Sequence, residues 1–136
     1  MRIDAASSVP VFLQIVDGIS AAIAAGVYKP GELISSVRQQ ALALLVNPNT
    51  VQRAYEHLER EGLLVSKRGS GMAVAPDARS IALLRTADAV RTTFAQGIRA
   101  ADSANLSRKK IDSLYRTAWN DSQLPDRARD PKVAYE

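Results

Sequence analysis

The sequence predicts a mainly α-helical chain with one small β-hairpin, and three observations carry that expectation. Apolar residues recur at helical spacing in several separate segments, and two short strand-like runs flank a glycine-rich tetrapeptide. Val46 through Tyr55 then joins a helix start to an outward face of Asn, Gln and Arg.

The elements follow in order. Residues 1–9 are a polar lead-in that ends at Pro10. Phe12, Ile15, Val16, Ile19 and Ile23 mark one stripe of a first helix, which should end at Gly26 because glycine accepts the left-handed conformation that closes a helix. Tyr28 through Glu32 contains the turn pair Pro30-Gly31, and Leu33-Ile34 suits a very short strand. Ser36-Val37-Arg38-Gln39 has the Ser-x-x-Gln pattern of a capping box, opening a second helix to about Leu45.

Asn47 precedes a proline, which pushes it toward the extended backbone of an N-cap, with its side chain placed to accept from the Thr50 backbone. Pro48 fits the first helical position, where its missing N–H costs nothing. Val51, Ala54, Tyr55 and Leu58 recur at i, i+3, i+4 and i+7 and should face a core, leaving Asn49, Gln52, Arg53 and Glu56 outward until the helix stops at Gly62. Asn, Gln and Arg carry paired donors and acceptors that match adenine and guanine edges in the major groove.

Leu63 through Lys67 and Met72 through Ala75 are strand-like, and Arg68-Gly69-Ser70-Gly71 between them completes a hairpin. Three helices followed by a two-stranded wing make residues 1–76 a winged helix-turn-helix. In residues 77–119 a long helix carries Ile81, Leu84, Ala87, Phe94 and Ile98 on one side. A shorter helix capped by Ser107 carries Ile111, Leu114, Tyr115, Ala118 and Trp119 and should pack against it. Residues 120–136 hold Pro125, Pro131 and many charges without periodicity and are expected to form a flexible tail.

Composition narrows the function. At 136 residues, 46% apolar and 24% charged, the chain suits one ordinary globular domain with a small appendage. It has no cysteine, which removes disulfides, thiolate metal sites and cysteine nucleophiles. No apolar run approaches the roughly 20 residues of a membrane span, and Met1-Arg2-Ile3-Asp4 begins no signal peptide, so a cytoplasmic protein without membrane contact is expected. The net charge is +4, but residues 1–76 carry seven Lys and Arg against six Asp and Glu. Generic attraction to DNA should therefore be modest, with affinity resting on locally placed cations and on two subunits binding together.

These residues resemble the amino-terminal half of the GntR family of bacterial transcription regulators. The matching pieces are Pro10 through Ile15, Lys29 through Leu33, Ser36 through Arg38, Val46 through Tyr55, Leu58 through Leu63, and the Lys67 through Gly71 wing. The remaining 60 residues look like the small two-helix dimerisation module of the YtrA-like subfamily, whose members are often repressors of transporter operons. The resemblance implies a homodimer on a pseudo-palindromic operator in double-stranded DNA. Its dimer contact would be built from Leu84, Phe94, Ile98, Ile111, Leu114, Tyr115 and Trp119. The corresponding DNA-contacting set is Arg38, Asn47, Pro48, Asn49, Thr50, Gln52, Arg53, Lys67, Arg68 and Gly69, with Asn47 chiefly a cap. Arg38 suits guanine, Asn49 and Gln52 suit adenine, and Lys67 and Arg68 suit phosphates or a narrow minor groove.

The chain departs from the family pattern at three places: Ser35 replaces a usual proline, Gln40 a core leucine, and Leu45 the glycine of the helix-helix turn. A leucine in a left-handed turn is strained by roughly 1–2 kcal/mol, so either strain or an extended second helix is expected. His57, the only histidine, lacks partners for metal binding or catalysis and is expected to be a surface or packing residue. No phosphate loop, metal cluster or catalytic triad is legible, so neither an enzyme nor a cofactor is expected. The alternative is a winged-helix module that docks protein, against which the polar outward face of the third helix argues. A small-molecule effector of unknown identity has little room between two short helices except at a subunit interface.

Overall fold

The computed structural model describes residues 1–123. Its elements are α1 (Val11–Ala24), α2 (Val37–Leu44), α3 (Pro48–Arg60), β1 (Leu64–Lys67), β2 (Gly71–Val74), α4 (Ala78–Ser103) and α5 (Arg108–Gln123). The chain forms two compact units, the first Met1–Thr86 and the second beginning at Ala87. Among the described residues no helix is long and apolar enough to cross a membrane.

The first unit is a winged helix-turn-helix. Ile15, Val16, Ile19 and Ile23 of α1 meet Val51, Ala54, Tyr55 and Leu58 of α3 in one core, closed by Leu63, Leu64 and Val74 of the hairpin region. Burying each large aliphatic side chain contributes about 1.5–3 kcal/mol, so the helical periodicity of α1 and α3 fixes their contact. Helix α1 ends as expected, with Gly26 at φ +79° and the Val27 N–H donating to Ala22 O at 2.9 Å. Strands β1 and β2 pair antiparallel from Leu64↔Val74 to Lys67↔Gly71, and Leu33 bridges to Ala73 as a third, minimal strand.

The lead-in is less free than its polarity implied. Gln14 clasps it: the Asp4 N–H donates to Gln14 Oε1 at 2.8 Å, and Gln14 Nε2 donates to the carbonyls of Asp4 and Val9 at 2.9 Å. Met1 and Ile3 pack against the core.

Helix α2 opens with the capping box, Ser36 accepting from the Gln39 N–H while the Gln39 side chain accepts from the Ser36 N–H. It ends in the strained form rather than the extended one. Leu45 caps it at φ 56°, ψ 46°, with a side chain 91% exposed that gains nothing from packing. The Val46 N–H donates back to Ala41 O at 3.1 Å, and Asn47 must be extended before Pro48, so continuation of α2 is blocked. Leu45→Gly is expected to stabilise the protein by roughly 1 kcal/mol, the relief of strain exceeding the freedom that glycine adds to the unfolded chain. Urea unfolding monitored by circular dichroism checks this, and a loss of stability would show that the turn is unstrained.

The first compact unit runs to Thr86 and so takes in the first turns of α4. Ala78 and Ala82 are buried, and Arg85 pairs with Asp17 of α1 at 2.8 Å and with Glu61 at 3.1 Å. In the second unit, the Leu106 N–H returns to Ala101 O at 3.0 Å and Ser107 Oγ accepts from the Lys110 N–H at 3.1 Å, capping α5 as expected. Phe94 meets the edge of Tyr115 with centroids 6.0 Å apart, and Tyr115 lies 6.4 Å from Trp119. Helix α5 continues through Gln123, four residues into the segment 120–136 expected as a tail; residues 124–136 lie outside the described residues.

Candidate DNA interface

The site is built on the ends of α2 and α3. Asn47 caps α3 with its side chain, accepting from the Asn49 N–H at 2.8 Å rather than from Thr50, whose N–H bonds the Asn47 carbonyl at 2.9 Å. Pro48 takes the first position of the helix. Asn47 and Pro48 thus serve helix initiation, while Val51, Ala54, Tyr55 and Leu58 are buried and anchor the inner face. Asn49, Gln52, Arg53 and Glu56 are exposed, as their spacing requires.

Tyr55 is a core residue, and its hydroxyl is committed: it donates to Ser35 O at 2.7 Å. Burial, with a lesser contribution from the charge of Tyr28, raises its pKa well above the usual tyrosine value, so it stays a neutral donor and brings no negative charge beneath the interface. Gln52 Nε2 donates to Glu56 Oε1 at 3.0 Å, which leaves its carbonyl oxygen and second N–H, the pair an adenine edge requires.

Arg53 lies with its guanidinium carbon 3.8 Å from the centre of the Phe12 ring. Together with Pro10, Val11, Asn49 and Thr50 these residues line an open recess between the start of α1 and the start of α3. His57 bonds Glu61 at 3.0 Å and packs against Phe12 at 6.2 Å, the packing role expected of it. Among the described residues no group of His, Asp or Glu is arranged to hold a metal ion. Arg38 is exposed in the first turn of α2, and Lys67, Arg68 and Gly69 are exposed at the wing, Gly69 at φ +77°.

The structure thus gathers Asn49, Thr50 and Arg53 at one recess and sets Arg38 and the wing cations on separate elements. Sequence reasoning placed Phe12 only in the α1 stripe and missed its partnership with Arg53. The Gln52–Glu56 pair was signalled by its i, i+4 spacing.

A helix-turn-helix whose second helix exposes Asn, Gln and Arg, backed by a hairpin with a basic tip, is the architecture of DNA-binding transcription regulators. The family described as Bacterial regulatory proteins, gntR family, matches residues 12–74. A GntR family transcriptional regulator from Listeria monocytogenes superposes with a TM-score of 0.71 at 32% identity, over 82% of this chain and 96% of that one. The chain belongs to the GntR family and fits its YtrA-like subfamily. It is 39% identical over 80 residues to the HTH-type transcriptional repressor YtrA of Bacillus subtilis (strain 168), covering 59% of this chain and 62% of that protein. The match thus takes in less than two thirds of that curated relative. YtrA from Sulfolobus acidocaldarius, a GntR-family transcription factor, superposes with a TM-score of 0.55 at 30% identity, over 88% of this chain and 97% of that one.

Proposed function

We propose that the protein is a homodimeric, sequence-specific repressor that binds a pseudo-palindromic operator, one winged helix-turn-helix on each half-site. The observation that carries this reading is α3 itself: a helix capped by Asn47, held by four buried residues, and exposing Asn49, Gln52 and Arg53. Repression is supported by likeness to a relative named as a repressor. Dimerisation is supported by exposed apolar residues on α4 and α5, among them Phe94, Ile98, Leu114, Tyr115 and Trp119. Leu84 and Ile111 extend that set, Ile111 being partly buried and Leu84 exposed. The protein acts in the cytoplasm by binding rather than by catalysis. A small-molecule effector would act between subunits, by changing the separation of the two α3 helices.

Selection from a random duplex pool at about 150 mM salt, where generic attraction is screened, tests the proposal. An enriched inverted repeat is expected, and absence of enrichment would overturn it in favour of protein docking. On the recovered site, Arg38→Ala or Gln52→Ala is expected to cost roughly 1–3 kcal/mol and to relax preference at one base position. Lys67→Ala should weaken all sequences alike and reduce the salt slope by about 1. Equal, sequence-independent losses from all three, measured by fluorescence anisotropy, would contradict the assignment of base readers.

A further inference from the structure

Arg53 has an unusual setting for a cation on an exposed helix face. Glu56, three residues on and a natural ion-pair partner, is bonded by Gln52 at 3.0 Å. No carboxylate among the described residues pairs with Arg53. Its guanidinium lies on the Phe12 ring instead, 3.8 Å from the centroid. An ion pair would occupy N–H donors of the guanidinium, whereas a cation–π contact needs no carboxylate and leaves donors for a further acceptor.

The ring is itself held. His57 packs against Phe12 at an interplanar angle of 67° and bonds Glu61 at 3.0 Å. Glu61 also takes Arg85 at 3.1 Å, and Arg85 reaches Asp17 on α1 at 2.8 Å. Phe12 thus packs on α3 through His57, which Glu61 and Arg85 link onward to Asp17 of α1, and Arg53 lies on this ring at the edge of the recess.

We propose that Phe12 is a positioning residue that holds the Arg53 guanidinium ready for the DNA phosphate backbone. The inference rests on the DNA role proposed for Arg53. Without the ring, a long flexible side chain loses its freedom only on binding; with it, that loss is met during folding. The stack carries no sequence information, so its effect is the same on every duplex.

The test uses the full chain and a mixed-sequence synthetic duplex of about 30 base pairs at about 50 mM salt, where phosphate contacts dominate binding. Arg53→Gln is expected to weaken binding and lower the salt slope. Phe12→Leu should weaken binding by roughly 3- to 10-fold while Phe12→Tyr retains it, and Phe12→Leu added to Arg53→Gln should cost nothing further. Site-specific replacement of Phe12 by mono- and trifluorophenylalanine nearly keeps the ring's size and weakens its attraction for cations, so it covers the case in which Phe12→Leu fails to fold; affinity should fall with each step of fluorination. Unchanged binding by Arg53→Gln would remove the DNA role of Arg53 and this inference with it. A loss from Arg53→Gln with no response to fluorination, or with additive Phe12→Leu and Arg53→Gln effects, would overturn the positioning role alone.

Discussion

Replacing Leu114 and Trp119 together by glutamine is expected to yield a monomer whose affinity for a full inverted repeat is lower by about 10²–10⁴-fold, while affinity for an isolated half-site is kept. The expectation rests on what these side chains do within their own subunit. Phe94, Ile98, Leu114, Tyr115 and Trp119 are between 46% and 56% exposed, and α5 contains no buried residue. Large apolar side chains left open on both helices of one unit form a patch of the kind that soluble proteins cover with a partner. Exchanging two of them for polar residues removes association energy while sparing the winged helix-turn-helix. Sedimentation velocity reads the oligomeric state, and titration of one- and two-site duplexes reads the consequence. A variant that stays dimeric would place the interface elsewhere.

Leu58→Ala is expected to destabilise the first unit by about 2–5 kcal/mol. Leu58 is fully buried on α3, in the cluster it shares with Ile15 and Ile19 of α1 and Leu63 and Val74 beside it. The cavity left by three deleted carbons lies between elements already fixed by one another, so little collapse can fill it. Since the same side chain seats α3, DNA affinity should fall in parallel with stability as temperature rises. Urea titration followed by circular dichroism measures the change, and a loss below about 1 kcal/mol would mean that the core closes over the gap.

Much of the fold was legible because its determinants are local. The Ser36 capping box, the Asn47-Pro48 helix start and the glycines at positions 26 and 62 act within a few residues, and the i, i+3, i+4 stripe of α3 selected the buried face that the structure shows. Features decided by distant contacts were not legible. Gln14 reaches ten residues back to hold the lead-in, and Arg85 reaches Asp17 across 68 positions, drawing the start of α4 into the first unit. The conformation of Leu45 was left between two outcomes because the choice depends on whether the core can keep Val46 and the start of α3 in place. At the candidate site, the outward positions on α3 followed from periodicity alone. The stacking of Arg53 on Phe12 needed α1 and α3 to be packed first.

The location of the single tryptophan has a practical consequence. Trp119 stands half-exposed on α5, outside the winged helix-turn-helix. Its emission is a built-in optical label for that helix: covering the indole by a second copy would shift the colour to the blue. The dimerisation proposed above is therefore readable in an unlabelled sample from the wavelength of intrinsic fluorescence.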